Sequence, residues 1–207
     1  MSGPRFVSLE GIEGAGKSTV GRFIGEWLAA RGIPVALTRE PGGTPLAERV
    51  REIVLTAGEE RITPVAETLL MFAARAIHLE SRIRPALMRG EWIVCDRFTD
   101  ATRAYQGAGR GVAGSLIEEL AAAVHGDLWP ACTLLLDLPV EEGLRRARQR
   151  GGATDRFEQE RAAFFERVRG AYLELARREP GRVRVVDASR PLAAVQRDVS
   201  VILESLL

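Results

Sequence analysis

Lysine is nearly absent from this chain: of its 29 basic residues one is lysine, Lys17, and the others are arginine. Two cysteines, Cys95 and Cys132, lie in apolar runs with no C-x-x-C or paired Cys/His spacing, which excludes a disulfide framework or a zinc knot. Both read as reduced, buried thiols, and a cytoplasmic location is expected. Only two histidines occur, His78 and His125, each in a helix-like stretch without an evident partner. They read as ordinary helical residues, and no Ser/His/Asp triad can be assembled. Single-signed charge is missing too: the net charge is +1, with arginines and acids interspersed, so binding to nucleic acid or a membrane surface has no compositional support. No apolar run is long enough to cross a bilayer and the N-terminus lacks a signal-peptide pattern, so a soluble protein is expected.

What is present is enough for one good core. The 207 residues are 46% apolar, and no repeat or low-complexity linker divides them, so residues 1–207 read as one domain. Five short apolar runs read as strands: Arg5 to Glu10, Pro34 to Thr38, Trp92 to Asp96, Cys132 to Asp137 and Arg182 to Asp187. Strands apolar on both faces belong in a parallel sheet covered by helices on each side, while the alternation in the last run marks an edge. Helices are expected over Lys17–Ala30, Pro45–Thr56, Pro64–Arg89, Ala113–Val124, Val140–Gln149, Phe157–Arg178 and Leu192–Leu206. The fold class is therefore α/β, a five-stranded parallel sheet with helices on both faces. Ligands of such sheets gather beyond the carboxyl ends of the strands. That rule brings together Gly11 to Ser18, then Arg39, Glu40 and Pro41, then Asp96 and Arg97, and an arginine-rich loop after the fourth strand.

The lone lysine lies in Gly11-Ile12-Glu13-Gly14-Ala15-Gly16-Lys17-Ser18-Thr19, which fits G-x-x-x-x-G-K-[ST], between a strand and a helix. The glycines let successive N–H groups point inward, and the helix start aims its positive end at the same anion, which makes a phosphate cradle of the P-loop NTPase type. An ammonium on a thin stem can enter such a loop where the wide guanidinium fork cannot. Lys17 would reach the β and γ phosphates of ATP, and Ser18 would take a position on Mg2+. Glu13 would be repelled by polyphosphate and is better placed to face a hydroxyl of a second ligand.

Asp96 ends an apolar strand, where P-loop proteins put the carboxylate that holds the magnesium hydration shell. Arg97 follows, with a fork able to grip a phosphate bidentately. From Leu144 to Arg156 five arginines are interrupted by Gly151, Gly152, Ala153 and Thr154, a composition suited to a closing lid at about residues 145–157. Arg145 and Arg146 complement the C-terminal end of a helix begun by Glu141 and Glu142, so the lid function falls to Arg148, Arg150 and Arg156. Two phosphate sites with a metal between them are what transfer from ATP to a phosphorylated acceptor requires. A GTP-dependent switch would need N-K-x-D, which a chain with its one lysine in the loop cannot contain. Another small P-loop kinase and a purely structural ATP-binding domain remain as alternatives.

Along essentially its whole length the chain resembles the bacterial thymidylate kinase family, through LEGIEGAGKST (Leu9–Thr19), TREPGGT (Thr38–Thr44), FAAR (Phe72–Arg75), DRFTDATRAYQGAGRG (Asp96–Gly111) and DRFE (Asp155–Glu158). The resemblance implies transfer of the ATP γ-phosphate to dTMP, giving dTDP and ADP with Mg2+, by a homodimer. It implies that Arg97 holds the dTMP phosphate, Glu13 approaches the sugar hydroxyl, Arg75 hydrogen-bonds the thymine, and Thr102 and Gln106 lie near its other polar edge. Tyr105 would pack beneath the sugar, and Arg39, Glu40 and Pro41 would line the nucleoside pocket. The family carries its catalytic arginine either in the phosphate loop or in the lid. Gly14 occupies the loop position here, which implies a lid arginine. The aromatic that stacks on the base in many relatives falls at Met71, four residues before Arg75, and Phe72 is the expected substitute after a small helical rotation, with Met71 able to share the contact.

Overall fold

A computed structural model describes residues 5–56, 62–149 and 158–207. Its centre is a parallel sheet in the order β2-β3-β1-β4-β5, formed by β1 (Phe6–Glu10), β2 (Val35–Arg39), β3 (Trp92–Asp96), β4 (Cys132–Asp137) and β5 (Val183–Asp187). β1 is buried at every residue, as an apolar central strand covered on both faces must be. β5 lies at one edge, as expected, but the alternation holds only in part, since Val185 is exposed along with Arg184. The register pairs Leu9 with Asp96 and with Leu134, so the carboxyl ends of β1, β3 and β4 open onto one rim.

Helix α1 (Lys17–Ala29) presents Val20, Ile24 and Leu28 at four-residue spacing, and α9 (Leu192–Glu204) presents Val195, Val199 and Leu203 in the same way. Both stripes pack on Val7, Leu9, Val94, Leu134 and Leu136. Truncating a fully buried member such as Leu28 to alanine would cost about 2–5 kcal/mol. Phe6, Leu79, Ile83, Ile93, Cys95 and Phe98 form a second cluster, and Leu135, Phe165, Val168 and Tyr172 belong to a third. Both cysteines are free and buried. Helices α2 (Pro45–Leu55) and α3 (Pro64–His78) each begin with proline at the first turn and a threonine cap, Thr44 on the Ala47 N–H and Thr63 on the Ala66 N–H.

Two expectations change. The helix over Pro64–Arg89 is not uniform: α3 passes into a π-helical turn at Leu79–Ile83 before α4 (Arg84–Met88). Pro85 explains it, because its ring collides with the carbonyl four residues back and it has no N–H to continue an α-ladder, and a widened turn upstream relieves both. The segment from Asp96 to Gly111, read as a loop, is largely helical: α5 (Thr99–Thr102) continues as a π-helical stretch, Arg103–Gly109. Its glycines disguise it. Gly109 is there for packing, since a Cβ would lie 2.5 Å from the Phe164 ring on α8 (Glu158–Arg178). The remaining helices are α6 (Gly114–Val124) and α7 (Val140–Gln149).

Candidate active site

At the carboxyl rim the sheet opens into a cavity of about 810 Å3. One wall is the loop between β1 and α1. Gly11, Gly14 and Gly16 all have positive φ, and Gly16 caps α1 in the left-handed region without a side-chain bond, which leaves the first N–H groups of the helix for an anion. Gly14 packs on the backbone of Gly143 in α7 so closely that a Cβ would collide with the Gly143 carbonyl. Lys17 is folded back: its Nζ donates to the Gly11 carbonyl at 3.0 Å and the Ile12 carbonyl at 2.9 Å. Burial, and secondly the charge of Arg97, push its pKa down to about 7.

The opposite wall starts at the end of β3. Asp96 has one carboxylate oxygen, Oδ1, that is buried without a hydrogen-bond partner among the described residues. With the Ser18 hydroxyl, which lines the same cavity, this makes a donor set of hard oxygens of the kind that suits a hydrated Mg2+. Arg97 has φ of 75°, a sterically costly value for a residue with a side chain. It is held there because its own N–H donates to the Leu9 carbonyl at 2.9 Å and the next N–H, of Phe98, donates to Glu10 Oε1 at 2.7 Å. Its guanidinium lies 4.3 Å over the Tyr105 ring and donates to the phenol oxygen at 2.8 Å. Glu10 is buried and also accepts from the Tyr172 hydroxyl; burial, with help from Asp100, raises its pKa to about 8.

Deeper in the cavity Arg75 is nearly inaccessible. Its Nε donates to Glu40 Oε2 at 2.7 Å and its Nη2 to Thr102 Oγ1 at 3.1 Å, while Nη1 is buried without a partner among the described residues. Gln106 Nε2 donates to Glu67 Oε1 at 2.8 Å. Met71 lines the cavity. Phe72 does not: it is buried with Val112, Ile117 and Ala121, and the Arg75 guanidinium lies 4.6 Å from its ring. The anticipated helical rotation is therefore absent. Phe72 backs Arg75, and Met71 holds the position from which a base could be touched.

Of the other expected residues, Arg39 lines the cavity but is half-exposed and bonded to Glu48 at 2.8 Å. Glu13 also lines it and pairs with Arg161 at 3.0 Å, an exposed contact of small energetic weight. Arg145 and Arg146 both bond Glu142, as the helix-end reading predicts. Arg148 is exposed on α7 with its Nε 3.4 Å from the Leu144 carbonyl. Arg150 and Arg156 lie outside the described residues. Sequence reasoning missed Arg51, Glu67 and Arg110 in the cavity wall. Arg51, whose Nη1 donates to the Pro41 carbonyl at 3.0 Å, follows the buried Ala47 by four residues, a spacing that could have placed it on the inner face of α2. One cluster of possible metal ligands, Glu40, His78 and Cys95, lies among the described residues, but both Glu40 oxygens are taken by Arg75 and His78.

A family model described as thymidylate kinase matches residues 9–199. A thymidylate kinase of Methylococcus capsulatus is 56% identical over all of this chain and 98% of its own length, and one of Chromohalobacter salexigens is 57% identical over 97% of this chain and 95% of its own. The crystal structure of thymidylate kinase from Ehrlichia chaffeensis superposes with a TM-score of 0.79 at 33% identity, covering 98% of this chain and 99% of that one.

Proposed function

The chain belongs to the thymidylate kinase family, and we propose from that membership and from its cavity that it transfers the γ-phosphate of ATP to dTMP, giving dTDP and ADP on the route to dTTP. The observation that carries the reading is one cavity walled on one side by the phosphate loop and on the other by Arg97, with the Arg75 Nη1, unpartnered among the described residues, beyond it.

ATP binds with its phosphates along Gly11–Thr19, and Lys17 exchanges its two carbonyl partners for phosphate oxygens. Arg97, already turned and held by Tyr105, grips the dTMP phosphate. Arg75 donates Nη1 to a thymine carbonyl, Gln106 and Thr102 flank the base, Met71 lies against its face, and Tyr105 lies under the sugar, which Glu13 approaches. Glu40, Pro41 and Arg39 complete the nucleoside wall. The acceptor phosphate thereby faces the γ-phosphate, and positioning with electrostatic stabilisation supplies the catalysis. Ser18 and Asp96 would hold Mg2+, which when bound neutralises charge on the phosphates. Because Gly14 leaves the loop without an arginine, Arg148, Arg150 and Arg156 of the lid at about 145–157 are the candidates to stabilise the transferring group.

Residues 1–207 act as one kinase domain in this reading. Exposed Leu46, Ile53 and Leu55 on α2 and Val65 and Leu69 on α3 support a homodimer built on these helices. Free buried thiols support a cytoplasmic setting, and among the described residues no helix is long and apolar enough to cross a membrane. Neither nucleic acid nor membrane is a partner. The test is an acceptor panel: ATP and Mg2+ with dTMP, dUMP, dCMP, AMP or thymidine, following ADP release. Turnover is expected to be fastest on dTMP, and turnover on AMP or thymidine with none on dTMP overturns the assignment.

A further inference from the structure

His78 is not the ordinary helical residue that the sequence suggests. It is fully buried three residues after Arg75 on α3, so both side chains leave the same face. Its Nδ1 is 3.0 Å from Glu40 Oε1 and its Nε2 is 2.6 Å from Thr38 Oγ1. The turn after β2 closes over this contact, because a Cβ on Gly43 would lie 2.5 Å from Nε2 and 2.6 Å from the threonine oxygen. An unbroken row, Thr38–His78–Glu40–Arg75–Thr102, thus runs from the edge strand into the cavity.

The geometry of the Glu40–Arg75 pair is unusual. An arginine and a carboxylate ordinarily meet fork to fork, with two N–H groups on two oxygens. Here the carboxylate offers Arg75 one oxygen, since the other accepts from His78. Arg75 is left with Nε on Glu40, Nη2 on Thr102, and Nη1 buried without a partner among the described residues. Glu40 can accept from His78 only if Nδ1 carries the proton, and a ring protonated there alone would accept from the Thr38 hydroxyl at Nε2. Without the imidazole, Oε1 would lose its partner in a dry site, and the donor that shares an edge of the guanidinium with Nε is Nη2, now on Thr102.

We propose that His78 is a positioning residue: by occupying one oxygen of Glu40 it prevents the two-point Nε/Nη2 pairing that would draw Nη2 off Thr102 and turn the guanidinium, and so keeps Nη1 aimed at the nucleobase of the acceptor. The inference rests on the acceptor reading given above, extending it to a residue that does not touch the substrate.

Three substitutions separate positioning from packing. His78→Asn places an amide N–H near the position of Nδ1, His78→Gln places one near Nε2, and His78→Leu removes both. Each is measured for KM and kcat with the monophosphate that the wild type turns over fastest, for KM with ATP, and for thermal stability. His78→Leu and His78→Gln should raise the monophosphate KM by roughly tenfold or more, the scale of one hydrogen bond to a charged group, with kcat and the ATP KM within about twofold. His78→Asn should recover most of the loss, and the preference for dTMP over dCMP should fall and recover with it. Thr38→Val, which keeps the imidazole but removes the hydroxyl that anchors its Nε2, should shift the same KM in the same direction by less. Equal monophosphate KM for wild type and His78→Leu, or equal values for the Asn and Gln variants, overturns the proposal. A wild type that prefers another monophosphate overturns the dTMP assignment instead, and the His78 series still reads the positioning of Arg75 against that substrate.

Discussion

The two walls of the cavity are built on opposite plans. The donor wall is backbone: a glycine loop whose one reactive side chain, Lys17, is folded onto its own loop carbonyls. The acceptor wall is side chain: Arg97 on Tyr105, Arg75 on Glu40 and Thr102, Gln106 on Glu67, each fixed by a partner before any ligand arrives. The donor wall must therefore give up internal bonds to work, whereas the acceptor wall needs only to be filled. Pre-organisation of this kind reduces the ordering cost of binding, and the side needing discrimination has it. The chemistry of the cations matches: arginine, always charged and planar, where a fixed direction matters, and lysine, a titratable point charge, where the group must swing.

Lys17→Arg tests the donor wall most severely. Charge is conserved, but the loop has no room for the fork, and turnover should fall roughly 100- to 1000-fold with the melting temperature little changed. Near-normal turnover would remove the distinction between the walls. Arg75→Ala breaks the acceptor wall: kcat/KM for dTMP should fall about 100-fold, and stability should fall by about 3 kcal/mol, because Glu40 is left buried beside an uncharged partner. Full stability in that variant would mean that the pair is not pre-formed.

Protons sharpen the contrast. Free Lys17 has a pKa of about 7, depressed chiefly by burial, and bound polyphosphate raises it. ATP binding above that pH must then take up a proton, approaching about one per site at pH 8, and ATP affinity should weaken by up to about tenfold per pH unit between 7 and 9. Binding of dTMP, read by arginines, should stay nearly flat over that range. Calorimetry in buffers of different ionisation enthalpy measures the uptake directly, and a pH-independent ATP affinity contradicts the folded-back, neutralisable lysine. The smallest effect is expected for Tyr105→Phe, which removes the hydroxyl on Arg97 but keeps the ring beneath it: the dTMP KM should rise roughly three- to tenfold with the ATP KM unchanged.

The donor wall was more legible in sequence than the acceptor wall, for the same structural reason. A backbone loop is written in contiguous residues, so Gly11 to Thr19 declare it, and of the acceptor wall only Asp96 and Arg97, at a strand end, were as plain. The three central strands were visible because a strand buried on both faces is apolar throughout, and the two edge strands as short apolar or alternating runs. The acceptor wall depends on which side of α3 faces inward. A rotation of one residue separates Met71 from Phe72, and nothing local shows that Glu40, more than 30 positions away, holds Arg75 and His78 together. Arg51 and Glu67 were hidden in the same way. The helix within Asp96–Gly111 escaped notice because its glycines weaken helix propensity, and Gly109 is there for contact with α8.

The glycine pair at 14 and 143 locks two sequence positions together. Any side chain at position 14 would have to adopt a left-handed backbone and push α7 away from the loop. A side chain at 143 would in turn press on the Glu13 carbonyl and the Ile12 side chain, so neither position is free to drift while α7 stays against the loop.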